Sequence, residues 1–247
     1  MLMRLRHLAT ILLLSVASLG ILPTPAHAAD EEATRLEAAG KAQRYTVKTK
    51  DPANDIDTGG AAIYVHAPID EVRRIVTDYR HYEKFIKPFK QSKLLSRSKG
   101  VSEVYLEVPI LHGAATVWIV ALMGPLVKEG QEERIVAKMQ KGNVDDFRAL
   151  WRLRAVDAEH TIVKLEILVD PKLPAPASIV TPELCTAAEK AVTGVRTHAE
   201  KNTSNASASH TQQDTPGPGA KDGAKDGAKD GATEGAKDGA KEKEEGS

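Results

Sequence analysis

The order of the predicted elements indicates an α+β fold: a strand, two short helices, a series of antiparallel strands and a long C-terminal helix. Three observations support this prediction. Residues 67–89, APIDEVRRIVTDYRHYEKFIKPF, combine a helix start, a hinge and an aromatic-rich turn. Residues 142–156 and 161–170 alternate between apolar and charged side chains, as strands with one buried face do. Residues 183–196 carry apolar side chains at helical spacing.

The first of these stretches predicts two short helices after a strand at residues 63–66. Pro68 has a fixed φ suited to a first helical turn, and Asp70 and Glu71 place negative charge at the positive helix N-terminus. Val72, Ile75 and Val76 then recur at helical spacing. The segment TDYRHYEKF follows as a second short helix or turn.

Several further strands are predicted. Residues 44–50 and 56–66 form either two strands or one bulged strand, and residues 89–98 and 102–110 form a hairpin around Lys99 and Gly100. Residues 116–123 are apolar on both faces, so we expect both sides of that strand to be covered. Residues 134–139 continue the sheet.

The two clearest strands present one apolar face and one charged face. The apolar positions are Phe147, Ala149, Trp151 and Leu153 on one strand and Val163, Leu165, Ile167 and Val169 on the other. The alternate positions hold Arg148, Arg152, Arg154, Lys164 and Glu166. An antiparallel sheet with one face in water is the expected result.

The C-terminal helix follows a proline-rich break at residues 171–176. Its apolar stripe consists of Leu184, Ala187, Ala188, Ala191 and Val195. Thr181 is the predicted N-cap and Pro182 the predicted first helical residue.

The composition divides the chain into four segments. Residues 1–28 are a predicted signal peptide, because Arg4 and Arg6 precede an apolar run at residues 8–22 and an Ala26-His27-Ala28 cleavage site. Residues 29–43 are a charged leader, a frayed helix or a loose segment, and residues 44–201 are the folded domain. Residues 202–247, rich in GAKD repeats, are a predicted disordered tail. The sequence therefore predicts a periplasmic or secreted protein.

Charge and residue content argue against several classes of function. The 34 basic and 34 acidic residues balance, and removal of Arg4 and Arg6 leaves 32 against 34, a net charge of −2. Nucleic-acid binding needs a basic excess, so we expect none. The histidines lack metal-ligand spacing, so neither a metal nor another cofactor is predicted. Cys185, the only cysteine, is expected to be a small buried or half-buried residue rather than a nucleophile.

The motif in residues 67–88 resembles the opening pattern of the START-like superfamily, also called SRPBCC or helix-grip proteins. The matching residues are Ala67-Pro68, Glu71-Val72, Val76-Thr77-Asp78-Tyr79, Tyr82 and Phe85-Ile86-Lys87-Pro88. GNVDDFRALWRLRAV, residues 142–156, is similar to a second strand of that superfamily. The branch it resembles contains coenzyme Q-binding proteins and polyketide cyclases. The resemblance implies a helix-grip fold, in which a curved antiparallel sheet wraps around the long C-terminal helix.

The resemblance also implies a cavity between sheet and helix that holds a hydrophobic small molecule, such as a lipid, a polyprenyl quinone or a sterol-like compound. The wall residues we predict are Phe147, Trp151, Leu153, Val163, Leu165, Ile167, Leu184 and Ala188. Each of them is also compatible with an ordinary packed core. We expect a monomeric binding protein that makes transient contact with a membrane.

Two alternatives remain open. A cyclase or dehydratase would use polar cavity residues, for which the candidates are Glu103, Tyr105, Glu107 and His112. If the first three lie on the outer face of the sheet, this enzyme hypothesis fails. A periplasmic protein-interaction module is the other alternative.

Overall fold

The structure is a computed structural model that describes residues 25–49, 55–87, 89–110, 113, 115–172 and 175–211. Most of the predicted signal peptide, residues 1–24, and most of the repeat tail, residues 212–247, lie outside the described residues. No helix in the described residues is both long and apolar enough to cross a membrane.

Nine strands form one antiparallel sheet within the described residues. In chain order they are β1 (Gln43–Val47), β2 (Thr58–Val65), β3 (Gln91–Ser98), β4 (Val101–Ile110), β5 (Ala115–Met123), β6 (Val127–Glu129), β7 (Glu132–Gly142), β8 (Val144–Ala155) and β9 (Thr161–Pro171). The sheet order is β1-β2-β9-β8-β7-β5-β4-β3, with the short β6 paired to β7. The predicted α+β class and the curved antiparallel sheet with a long C-terminal helix are confirmed.

Four helices accompany the sheet in the described residues: α1 (Pro25–Ala39), α2 (Ile69–Val76), α3 (Tyr82–Phe85) and α4 (Ala177–Thr211). Helix α2 buries Val72, Ile75 and Val76, as their spacing predicted. Helix α4 lies against β1, β2 and β9 and also contacts α2 and α3. The boundary predicted at residue 201 falls inside α4, which continues to Thr211.

The core occupies the space between the sheet and the middle and C-terminal part of α4. The α4 side chains Ala188, Val192, Val195 and Ala199 are fully buried there. They belong to the same cluster as the buried side chains of α2 and the inner faces of β2, β8 and β9. This arrangement closes one end of the space beneath α4 with tightly packed apolar groups.

The predicted charged leader contributes a helix that packs on the outer face of the sheet. In α1, Leu36 is 1% exposed and forms a small apolar cluster with Tyr64 and Ile162. Glu32 of the same helix lies 2.8 Å from the ammonium of Lys164 and 3.4 Å from Arg154. Thus α1 covers the β2–β9 region of the outer face.

The prediction that residues 116–123 are covered on both faces is wrong. Val117, Ile119 and Ala121 are buried on the inner face, but Trp118 is 37% exposed on the outer face and Leu122 is 36% exposed. The reason is that α1 packs over β2 and β9, which lie away from β5 in the sheet.

The predicted start of the C-terminal helix is also wrong. Helix α4 begins at Ala177, and Pro182 lies inside it. The carbonyl oxygen of Pro176 accepts the backbone N–H groups of Ile179, at 2.9 Å, and Val180, at 3.2 Å, which starts the helix before Thr181. The Thr181 hydroxyl instead accepts a hydrogen bond from the backbone N–H of Asp57 at 3.2 Å.

Candidate functional site: an apolar cavity beneath the C-terminal helix

A cavity of about 490 Å³ lies between the sheet and the N-terminal half of α4. This volume falls within the roughly 300–1,000 Å³ range of small-molecule binding sites in proteins. The inward alternation of the strands supplies its sheet wall, which consists of Leu106, Val108, Val117, Ile119, Met123, Ala137, Phe147, Ala149, Trp151, Leu165, Ile167 and Val169.

Helix α4 supplies the opposite wall with small and branched side chains. Val180, Leu184, Ala187 and Ala191 line the cavity. Alanine side chains at two of these four positions fill little of the space between helix and sheet. Larger side chains there would occupy space that the cavity now holds.

The segment around α3 closes a third side. Tyr82, Ile86 and Phe89 line the cavity there, and Tyr82 packs edge-on against Phe85 with ring centroids 5.7 Å apart. The backbone of this segment approaches α4 so closely that a Cβ added at Gly194 would collide with the carbonyl oxygen of Phe85. The motif identified in the sequence therefore forms both a wall of the cavity and its contact with α4.

The predicted wall residues separate into two groups. Phe147, Trp151, Leu165, Ile167 and Leu184 line the cavity. Leu153, Val163 and Ala188 are each 0% exposed and lie in the packed core. They occupy the same faces of β8, β9 and α4 as the first group, but they lie where helices contact the sheet directly: α4 contacts β9, and α2 contacts β8.

Sequence reasoning missed the part of the cavity formed by α3, β4 and β5. In the sequence, Val104, Leu106 and Val108 alternate with Glu103, Tyr105 and Glu107, which is the pattern of a strand with one apolar face. Residues 116–123 gave no such signal, because they are apolar on both faces. No local signal shows that Tyr82 and Ile86 reach the same space, because that depends on how α3 packs against α4.

The buried polar atoms of the cavity are satisfied. Tyr82 Oη donates a hydrogen bond to the carbonyl oxygen of Val76 at 2.5 Å, and the indole of Trp151 lies close to the same hydroxyl. Burial raises the pKa of Tyr82 well above its ordinary value. A neutral phenol whose proton is already donated to a backbone carbonyl oxygen is poorly suited to proton transfer.

The polar candidates for an enzyme lie elsewhere. Glu103, Tyr105 and Glu107 are on the outer face of β4, because Val104 and Leu106 occupy its inner face. Tyr105 Oη donates to the Glu107 carboxylate at 3.1 Å, and its ring stacks on Trp118. His112 lies outside the described residues. No group of three or more His, Cys, Asp or Glu side chains suited to a metal ion occurs in the described part of the chain.

Comparison with known proteins agrees with this architecture. Residues 65–196, which are 132 of the 247 residues, match the family described as polyketide cyclase / dehydrase and lipid transport. The chain belongs to this family. The START-like, or SRPBCC, assignment made from the motif in residues 67–88 is thus confirmed. A comparison with curated proteins found no match.

Solved structures share the fold at low sequence identity. A START superfamily protein from Mycobacterium smegmatis has a TM-score of 0.51 and 18% identity, with 58% of this chain and 97% of that chain covered. A STAR-related lipid transfer protein from Xanthomonas axonopodis has a TM-score of 0.55 and 14% identity, with coverages of 64% and 93%. Human STARD10 has a TM-score of 0.53 and 11% identity, with coverages of 78% and 85%. These similarities establish the helix-grip fold.

Proposed function

We propose that this protein is an exported carrier that binds a hydrophobic small molecule in the cavity between the sheet and α4. The observation that supports the proposal is the cavity itself, which is of ligand size, apolar on the sheet side and lined by small residues on the helix side. Binding would be driven by removal of apolar surface from water, at about 25 cal/mol per Å² buried. The lipid-transport part of the family description agrees with this proposal.

The chemistry of the buried wall favours binding over catalysis. A cyclase or dehydratase needs an acid or a base next to its substrate. In the described wall, the buried titratable side chain is Tyr82, whose hydroxyl already donates its proton to the carbonyl oxygen of Val76. Glu103, Tyr105 and Glu107 face away from the cavity.

Export is the second part of the proposal. It rests on the basic, apolar and small-residue pattern of residues 1–28. In a cell with two membranes, the carrier would move a poorly soluble compound across the water between them as a monomer that touches each membrane transiently. The intact mass of the secreted or periplasmic protein tests this part, since cleavage after Ala28 removes the first 28 residues.

The test of binding is native mass spectrometry of the mature protein purified from its own compartment, followed by organic extraction and lipid analysis. We expect a stoichiometric hydrophobic passenger that extraction releases. A protein that carries no passenger and takes up none from a panel of lipids, quinones and sterols would contradict the proposal. Attention would then shift to protein partners.

A further inference from the structure

The polar groups of the cavity lie at one end. Lys87, Glu183 and Lys190 line the cavity and are exposed to solvent, so they mark its mouth. Trp151 and Met123 are each 3% exposed and Ala137 is fully buried, so they mark its floor. The cavity therefore runs from a charged opening to an apolar interior.

The floor offers few polar groups to a ligand among the described residues. The Tyr82 hydroxyl already donates its proton to the carbonyl oxygen of Val76, and the Trp151 indole lies close to the same hydroxyl. A ligand carbonyl or hydroxyl placed on the floor would lose hydrogen bonds to water that these groups do not fully replace, which weakens binding. The ligand that fits is apolar along its buried length and polar at one end, and that end lies at the mouth.

The mouth favours a negative charge. Two lysines and one glutamate lie there, and the ion pairs of the described residues include neither Lys87 nor Lys190. Thr186, also at the mouth, uses its hydroxyl to donate to the carbonyl oxygen of Pro182 at 3.0 Å. The groups left to meet a ligand head group are therefore mainly cationic.

We propose that the ligand is an anionic amphiphile, a hydrocarbon chain ending in a carboxylate or a phosphate, bound with its tail on the Trp151 floor and its anion at Lys87 and Lys190. This inference rests on the proposed carrier function and narrows its ligand class. It adds a direction to binding: the tail enters first and the charged end stays in contact with water.

The sequence provides an internal probe for the test. The chain has two tryptophans, of which Trp151 is on the cavity floor and Trp118 is on the outer face of the sheet. In a Trp118→Phe background, fluorescence reports on the cavity floor. Four probes with the same 16-carbon chain, used below their micelle concentrations, isolate the head group: hexadecanoate, hexadecyl phosphate, hexadecanol and hexadecyltrimethylammonium.

We expect both anions to bind more tightly than the alcohol and the ammonium to bind most weakly. Lys87→Met and Lys190→Met should each weaken anion binding roughly two- to fivefold, the range of a solvent-exposed ion pair, and leave hexadecanol unchanged. Glu183→Gln should strengthen anion binding, and added salt should weaken it.

Comparison of the two anions distinguishes a carboxylate from a phosphate ligand. Lys138→Met, which removes an exposed lysine from a strand outside the mouth, is the matched control and should change nothing.

Binding that ignores the head group and the lysine variants would overturn this inference and leave the carrier function intact. Binding by none of the four chains, in a protein that also carries no passenger, would overturn both. Bromine placed at the chain terminus should quench Trp151 more strongly than bromine beside the carboxylate, and the reverse order would contradict the proposed direction of binding.

Discussion

Leu165 and Leu153 are buried leucines on the inner faces of neighbouring strands, but their surroundings differ. Leu165 lines the cavity, whereas Leu153 lies in the packed core. A larger side chain therefore finds space at the first position and meets packed atoms at the second. The two positions form a matched pair for separating cavity from core.

We predict that Leu165→Trp fills part of the cavity, prevents uptake of a hydrophobic ligand and changes the free energy of unfolding little. Leu153→Trp should destabilise the protein by about 1–3 kcal/mol, the usual cost of overpacking a core. Denaturant unfolding measures both effects, and retention of an extracted passenger measures ligand binding. Equal destabilisation by both substitutions would contradict the presence of open space at Leu165.

At the scale of elements, α4 approaches the rest of the fold closely at two positions, one at Leu184 in the cavity wall and one at Gly194 beyond it. A Cβ at Gly59 of β2 would collide with the backbone of Leu184 and Cys185. A Cβ at Gly194 of α4 would collide with the carbonyl oxygen of Phe85. The absence of a side chain at both positions lets the helix approach β2 at one contact and α3 at the other.

Gly194→Ala tests the contact between α4 and α3, because two effects of opposite sign compete there. Helix propensity alone would stabilise the alanine variant by about 1 kcal/mol. We expect a net loss of stability instead, roughly 1–3 kcal/mol, since α3 or α4 must move to admit the methyl group. Thr197→Ala, at an exposed position of the same helix, is the control. A more stable Gly194→Ala protein would show that the contact is loose.

At the scale of the whole molecule, carboxylates that interact with cations determine how the free energy of unfolding changes as the pH falls. Glu71 of α2 accepts hydrogen bonds from Arg74 Nε at 2.8 Å and from Asn202 Nδ2 of α4 at 2.8 Å. The Arg74 hydrogen bonds hold the pKa of Glu71 below its ordinary 4.5, and Asn202 adds to this effect. Lys48 lowers the pKa of Asp57 in the same way.

A carboxyl whose pKa is lower in the folded state stabilises that state above its unfolded pKa. The contribution disappears as the pH falls through the folded value. We therefore predict that the free energy of unfolding decreases below about pH 4.5, and that Glu71→Gln makes this decrease shallower. Urea unfolding from pH 6 to pH 3 measures it. Glu159→Gln, at an exposed turn, is the charge-matched control, and an equal effect of both substitutions would contradict the role of Glu71.

At Asp170, by contrast, burial raises the pKa of the carboxyl. Loss of water, together with the nearby Asp145 and Asp146 carboxylates, raises the pKa of Asp170. This group stabilises the folded state at low pH and loses that contribution as the pH rises. It offsets part of the acid-induced loss expected from Glu71 and Asp57.

The sequence predicted the fold well because its strongest signals are local. The alternation in β8 and β9 and the spacing of Val72, Ile75 and Val76 in α2 each follow from one buried face, and the structure has these faces. The start of α4 was not predictable from Thr181 and Pro182, since it depends on the carbonyl oxygen of Pro176.

The candidate site was predictable only in part, for a geometric reason. Trp151 and Leu153 have the same alternation and face the same side of β8, so local pattern cannot distinguish them. Whether an inward side chain meets the cavity or packed atoms depends on where the helices lie over the sheet, since α2 contacts β8 and α4 contacts β2 and β9. The exposure of Trp118 likewise depends on where α1 packs.

The position of Cys185 allows thiol labelling to report on the separation of α4 from β1. Its thiol donates a hydrogen bond to the carbonyl oxygen of Tyr45 at 3.3 Å, and the residue is 7% exposed. We expect a thiol reagent to react with this buried sulfur faster when this part of α4 separates from β1. Because the sequence has a single cysteine, the labelling rate of the unaltered protein reports on this opening without any mutation. A bound passenger that stabilises the contact between α4 and the sheet would lower that rate.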